Sequence, residues 1–411
     1  MLDFDHHSED FAGSWRETYA GLRSGCPVAH SDRHGGYWVL TRADDILRAL
    51  RDTDSFASSR RPIDGLSGDV GVTIPPNPVR MGLMEMDPPE SIRYRRLLNP
   101  YFSRAAIDSF RPRIRTLVTW CIDQFVERGT FDVVDDLANP VPALVTLARL
   151  GMPLDRWPTY ARVLHEAVYR KPGSARRVSE LLEDLTGIVR KRECESGGLI
   201  DGLVAAEVDG QPLPEALVVE FLYMLLSGGV DTTTALIASA LLHLDDHPDD
   251  RRRLITEPAL IPAAVQELIR LYSPATGVAR TVTCPVEVSG VALRPGDRVL
   301  LALGSADADE AKFEAPDQAV FDRPSNPHLA FGSGAHRCLG AELASAEMEV
   351  LLEEVLARLP DYRIDRAGTV PYPTIPLVNG FIRMPATCPP GRPVGPAVAD
   401  VADAADLAGR A

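Results

Sequence analysis

Ten consecutive residues constrain this chain more than any other stretch: Phe331-Gly332-Ser333-Gly334-Ala335-His336-Arg337-Cys338-Leu339-Gly340. A cysteine stands in a glycine-punctuated loop, directly ahead of an amphipathic helical run from Ala341 to Leu359. Glycines 332, 334 and 340 are expected to let the backbone take φ > 0 and approach a flat object closely. A cysteine just before a helix start faces the positive end of the helix dipole, which favours thiolate over thiol. Thiolates bind soft metals, and a single thiolate without partner ligands suits a metal already held by another chelate. A glycine-rich turn around an incidental buried cysteine is the plain alternative for Cys338 alone, and the ten positions together argue against it.

Composition narrows the setting. The 411 residues are 45% hydrophobic and 25% charged, ordinary values for a globular protein. Length alone would allow two or three domains, but no linker-like stretch divides the chain before residue 386, so one large domain over 1–387 is expected. A net charge of −15 argues against nucleic acid as a general partner. The N-terminus, Met1-Leu2-Asp3-Phe4-Asp5-His6-His7, has neither a basic nor an apolar leader segment, so no signal peptide or membrane anchor is expected there. The six cysteines, at 26, 121, 194, 284, 338 and 388, are scattered without a C-x-x-C pair. They read as reduced thiols of a cytoplasmic protein.

Along the chain, residues 12–24 read as a helix, and Val28–His30 with Tyr37–Leu40 as a hairpin across Gly35-Gly36. Thr41 is expected to cap a helix running to Arg51. Residues 52–89 are loop-rich, and a loop that long inside a compact domain is usually functional. Seven arginines occur between 93 and 115 against one acid, Asp108. They read either as a solvated helix face, or as one inward arginine for a cofactor carboxylate plus a docking face for an acidic protein. Helical patterns follow at 106–128, 136–150 and 155–195, where His165 reads as a structural or surface residue. Strand-like runs lie at 281–289 and 298–303, and residues from 388 onward read as a disordered tail.

Glu215 to His247 is the longest helical stretch, about 50 Å at 1.5 Å per residue. It is apolar nearly all round in its first half, as in a core helix. Ser227-Gly228-Gly229-Val230-Asp231-Thr232-Thr233-Thr234 interrupts it with poor helix formers, so a kink that leaves room for a ligand is expected. Farther on, Glu267 and Arg270 share a helix face at i, i+3 and can pair.

Together these motifs resemble the cytochrome P-450 (haem-thiolate monooxygenase) family of soluble bacterial type, over about residues 12–385. The loop matches that family's cysteine-ligand pattern F-x-x-G-x-H-x-C-x-G. Gly228 to Thr233 is similar to its oxygen-activation motif, and Glu267 and Arg270 match its E-x-x-R pair, with Arg323 as third, structural member. The resemblance implies a mainly α fold with small β-sheets (α+β) around a buried haem b. Cys338 would be the iron ligand. Arg95, Arg280 and His336 would hold the haem carboxylates, with Gly228, Phe331, Gly332 and Gly340 also lining the cofactor. Asp231 and Thr232 would be the acid–alcohol pair that supplies protons for O2 cleavage. Substrate contacts would come from Met81, Leu83 and Met84; Tyr223, Leu226 and Ser227; Ala275, Thr276 and Val278; and Leu377, Val378 and Phe381. Three departures stand out: Ser91 where the family often has histidine, Asp307-Ala308-Asp309-Glu310 where it reads N-R-D-P, and the tail beyond 387.

The function so implied is insertion of one oxygen atom from O2 into a lipophilic small molecule, by hydroxylation or epoxidation, in secondary metabolism. The chain carries no flavin or iron–sulfur motif, so electrons would come from a separate ferredoxin and ferredoxin reductase, docked near Arg337 and the 93–115 arginines. Two other readings stay open. A peroxide-driven oxygenase would not need the Asp231–Thr232 pair, and a non-catalytic haem sensor or carrier-protein recruitment module would bind haem without turnover.

Overall fold

A computed structural model describes residues 4–60 and 71–395. The glycine-rich part of the 52–89 loop, at 61–70, therefore lies outside the described residues. Contacts gather into two compact units. One comprises Met1–Arg96, Gln266–Leu339 and Tyr372–Asn379; the other comprises Leu97–Val265, Gly340–Pro371 and Gly380–Ala411.

The first unit is built on a five-stranded sheet in the order Val28–Ser31, Tyr37–Leu40, Arg298–Leu301, Val278–Val282, Phe56–Ala57. All pairs are antiparallel except Tyr37–Leu40 with Arg298–Leu301. Aromatic and β-branched residues favour this pleated, half-buried surface, and Val39, Leu40, Val299 and Leu301 are fully buried. The hairpin turn needs left-handed backbone at three successive residues, His34, Gly35 and Gly36. The Ala43–Arg51 helix is capped differently from expectation. The Thr41 hydroxyl donates to the Pro27 carbonyl, and the Asp309 carboxylate accepts from the Ala43 N–H at 2.8 Å instead. A carboxylate from far along the chain thus serves the first turn, where negative charge also complements the helix dipole.

The second unit is helical, and Glu215–Asp246 is its longest helix. By length and composition that helix could cross a membrane, but 67% of its apolar window is buried inside the protein. Pro140–Leu150, Trp157–Val168 and Ser174–Lys191 pack on it. The expected interruption does not appear: the helix runs unbroken through 228–234. Its hydroxyls bond back to the preceding turn, Thr232 to Gly228 O at 2.7 Å and Thr234 to Val230 O at 3.0 Å. Thr234 also reaches Ala138 O at 2.9 Å. A Cβ at Gly229 would fall 2.9 Å from the Thr146 hydroxyl, so this glycine serves close helix packing rather than a break.

Residues 388–395 correct the expectation of a disordered tail from 388. Cys388 donates its N–H to Gly129 O, and Gly391 donates to Val126 O. The Asp123 carboxylate accepts from the N–H groups of Val394 and Gly395. Backbone groups, rather than an apolar pattern, hold this segment, so composition could not reveal it. Residues 396–411 lie outside the described residues.

Candidate active site

The cysteine loop folds on itself. Cys338 donates its N–H to Phe331 O at 2.8 Å, and Gly332 donates to Leu329 O at 2.7 Å. Gly332 and Gly334 take φ of 65° and 68°. At Gly334 a Cβ would also lie 2.9 Å from Leu50 O, so both the turn and the close approach require glycine. Gly340 departs from expectation. Its φ is −87°, it serves as N-cap of the Ala341–Arg358 helix, and a Cβ there would meet nothing within 4 Å. A Cβ at Gly228 would likewise meet nothing. Neither glycine is demanded by the chain's own geometry.

Beside the loop, two guanidinium groups and an imidazole gather, with no carboxylate bonded to them among the described residues. Arg95 donates to Arg337 O at 2.6 Å and to Ala335 O at 3.4 Å. Burial lowers its pKa, with the charge of Cys338 acting in the other direction. Arg280 is 4% exposed and donates to its own neighbour, Ala279 O. Burial pushes its pKa down to about 10, against a modest upward pull from Asp87. The Asp87 carboxylate is itself engaged by the N–H groups of Ser58 and Ser59. His336 is pushed down to about 4 by burial and then by the Arg280 charge, and its Nε2 is buried without a hydrogen-bond partner. Buried polar atoms are normally satisfied. An orphaned imidazole nitrogen beside a buried, unpaired guanidinium is what a site for a carboxylate-bearing ligand would present. Haem, with two carboxylates and an iron that takes a thiolate, fits this donor set.

The neighbouring Glu267 cluster is closed. Arg270 forks onto the Glu267 carboxylate at 2.8 and 2.9 Å, and Arg323 approaches it at 3.0 to 3.2 Å. Val320 N–H and Asn326 Nδ2 complete the carboxylate's partners. Arg270 also donates to the carbonyls of Asp307, Pro316 and Gln318. Burial opposes ionisation of Glu267, yet the bonds from Arg270 and Arg323 outweigh it and hold the carboxyl below its ordinary range. Asp307, from the altered N-R-D-P position, is buried here too. Burial pushes it up to about 7, against the bonds it accepts from Ser273 and Leu329. These bonds anchor the segment entering the cysteine loop.

In the second unit, the long helix presents Asp231, 1% exposed in its side chain, hydrogen-bonded to His165 Nδ1 at 2.8 Å. His165, expected to be structural or at the surface, is buried at 7% side-chain exposure and bonded to the expected relay acid. The signal was unreadable because the two residues lie 66 positions apart, on different helices. Among the expected substrate contacts, Met81, Leu83, Tyr223, Leu226, Thr276 and Val378 are buried, while Met84, Ser227, Ala275, Val278, Leu377 and Phe381 are half-buried. Thr276 donates its N–H to Leu377 O, and Ala275 bridges to Val378. The post-E-x-x-R segment and the late turn are thereby joined. A cavity of about 610 Å³ lined by Arg128, Asp132, Arg363 and Arg383 contains none of the expected site residues.

The arginine-rich region divides. Arg95 turns to the cysteine loop, whereas Arg111 pairs with Glu349 at 2.5 Å and Arg115 pairs with Glu353 and Glu354. Those two cations are neutralised within the second unit, which narrows the expected docking face. Arg337 is exposed.

Comparison with known proteins agrees with this geometry. The sequence profile for Cytochrome P450 matches residues 149–360. Cytochrome P450 130 of Mycobacterium tuberculosis is 33% identical over 382 residues, covering 88% of this chain and 92% of its own length. Steroid C26-monooxygenase of Mycolicibacterium smegmatis is 31% identical, covering 93% and 94%. Among solved structures, a mutant of P450 EryK in complex with erythromycin B is 30% identical with a TM-score of 0.83, covering 95% and 100%. The chain belongs to the cytochrome P450 family and is a haem-dependent monooxygenase.

Proposed function

We propose that this enzyme inserts one oxygen atom from O2 into a rigid, lipophilic small molecule of the steroid, terpenoid or polyketide type. Its electrons would come from a separate ferredoxin and ferredoxin reductase in the cytoplasm. The observation that carries the cofactor side is the open cationic cluster beside Cys338. Arg280 and Arg95 present guanidinium forks suited to carboxylates, and His336 offers the buried Nε2 that lacks a partner. Haem b, which has two free carboxylates and no covalent attachment, is the form these residues suit. Cys338 would be the iron ligand. When bound, a thiolate-ligated haem supplies dioxygen activation and oxygen transfer.

The chain's own part is binding and proton supply. Asp231 accepts from or donates to His165 within a buried pair, and the Thr232 hydroxyl rests on Gly228 O. Turning that hydroxyl off its own helix frees a donor beside a carboxylate, the arrangement a proton relay needs. The substrate class is supported by the apolar character of Met81, Leu83, Tyr223, Leu226 and Phe381. It is also supported by the names of relatives, a steroid C26-monooxygenase and a pentalenic acid synthase. Exposed Arg337, near Arg95, would face the acidic electron donor.

The test is reconstitution with a bacterial ferredoxin and its reductase under isotopic dioxygen. Substrates would first be chosen from a steroid and terpenoid panel by the shift in haem spin state. One labelled oxygen per product, dependent on ferredoxin, is expected. Turnover with peroxide alone and none with ferredoxin would replace this reading by a peroxide-driven oxygenase.

A further inference from the structure

Far along the sequence from the cysteine loop, three histidines of the first unit come together. His6 and His7 lie in the N-terminal segment, and His34 sits at the tip of the first hairpin with φ of 51°. Their ring centroids are separated by 4.2 Å (His6–His7), 4.5 Å (His7–His34) and 5.7 Å (His6–His34). One nitrogen from each ring can be chosen so that all three lie within 4.8 Å of one another.

The hydrogen bonds around them are those that orient metal-bound imidazoles. His6 Nε2 and His7 Nε2 both face the Ile74 carbonyl, at 3.1 and 2.6 Å. His34 Nε2 faces the Asp5 carboxylate at 2.8 Å, and the His7 N–H donates to the same Asp5 oxygen. A carbonyl or carboxylate only accepts, so each of these ring nitrogens carries the proton. In the neutral ring the opposite nitrogen then carries the lone pair. Metal-bound histidines characteristically donate their other N–H to a carbonyl or carboxylate in this way. His6 Nδ1 is bonded to the Tyr37 hydroxyl at 2.8 Å, a contact that a metal bond would replace.

We propose that His6, His7 and His34 bind one divalent transition-metal ion of the zinc class, with Ile74 O and Asp5 orienting the imidazoles. Imidazole suits zinc, copper and nickel. Tetrahedral bonds of 2.0–2.1 Å place donors about 3.4 Å apart, so modest ring rotations close the site. The ion fastens the N-terminal segment to the hairpin tip and, through the oriented imidazoles, to the loop at Ile74. Its role is structural, and it is independent of the haem chemistry.

The experiment uses the full-length, haem-loaded protein, stripped with chelator and titrated with zinc chloride by calorimetry, with zinc-edge X-ray absorption on the loaded sample. The expected result is one zinc per chain, nitrogen or oxygen donors at about 2.0–2.1 Å with imidazole scattering, and a raised melting temperature. His7→Ala and His34→Asn should each weaken binding at least tenfold. Asparagine tolerates the left-handed backbone at 34, which guards against misfolding. His30→Asn, in the same hairpin near Asp32, should leave binding unchanged. No zinc uptake, or uptake unaltered in both His7→Ala and His34→Asn, overturns the proposal. Because zinc is read directly, a failure of the haem reading would leave this result standing.

Discussion

Two buried arginines of the first unit, Arg270 and Arg280, are equally withdrawn from solvent but live in opposite circumstances. Arg270 has a carboxylate, Glu267, that also takes Arg323, and it serves three carbonyls besides. Arg280 has its own neighbour's carbonyl, a repelled histidine and the field of an aspartate already engaged by Ser58 and Ser59. A paired buried charge is a finished structural device, and removing one partner is costly. A buried charge without its counter-charge is expensive to keep, and the chain keeps it where a carboxylate-bearing cofactor would supply the missing anion. The closed cluster is complete within the chain; the open one would be completed by the ligand.

The closed cluster is the more sensitive of the two to substitution. Glu267→Ala strands Arg270 and Arg323, and should cost about 3–5 kcal/mol of stability. Denaturant unfolding of the purified variant should show this, with soluble yield falling in parallel. An unchanged midpoint would dissolve the distinction between the two clusters.

Arg280→Met should give the opposite signature. Removing an uncompensated buried charge should leave the cofactor-free protein as stable as before, or more so. Losing a hydrogen bond to a charged group, about 1.5–3 kcal/mol, should weaken haem binding by about 10- to 100-fold. Haem titration and urea unfolding on one preparation separate the two effects. Loss of stability equal to that of Glu267→Ala would place Arg280 in the scaffold.

His336 makes the open cluster sensitive to pH. Its folded pKa, about 4, lies below the ordinary histidine value of about 6.5, so between those values the unfolded chain binds the proton more readily. Stability of the cofactor-free protein should therefore fall as pH drops from about 6.5 toward 4. His336→Gln should flatten that slope in part, since His328 and His6 are depressed in the same direction. An unaltered slope would show that His336 is not buried in neutral form.

The smallest effects belong to the second unit. Thr232→Ala should divert reducing equivalents from product to peroxide, and His165→Phe should do so to a lesser extent by releasing Asp231. Product formed per NADPH consumed is the measure. Full coupling in both variants would remove the pair from proton delivery.

What could be read beforehand follows from sequence distance. The cysteine loop and E-x-x-R are local, so Cys338 stood out in its glycine-rich loop, and the family resemblance pointed to His336, Glu267 and Arg270. Hairpin and helix positions followed from periodicity and glycine placement. His165 with Asp231, Asp309 at the Ala43 helix start, and Arg111 and Arg115 with the acids of the Ala341–Arg358 helix were hidden. Each pairs residues brought together only by the fold. The expected break at Gly228–Thr234 failed for a different reason. Intrinsic propensity is weak against tertiary packing, and here the helix is buried against Pro140–Leu150, Trp157–Val168 and Ser174–Lys191.

Cys338 would be the thiolate ligand of a haem held by the open cluster. The direct measurement is the absorption spectrum of the reduced protein under carbon monoxide, for the natural chain and for Cys338→Ser. The account predicts the displaced Soret band of thiolate ligation in the first and its loss in the second. A protein that purifies without haem, or a displaced band that survives Cys338→Ser, would contradict it.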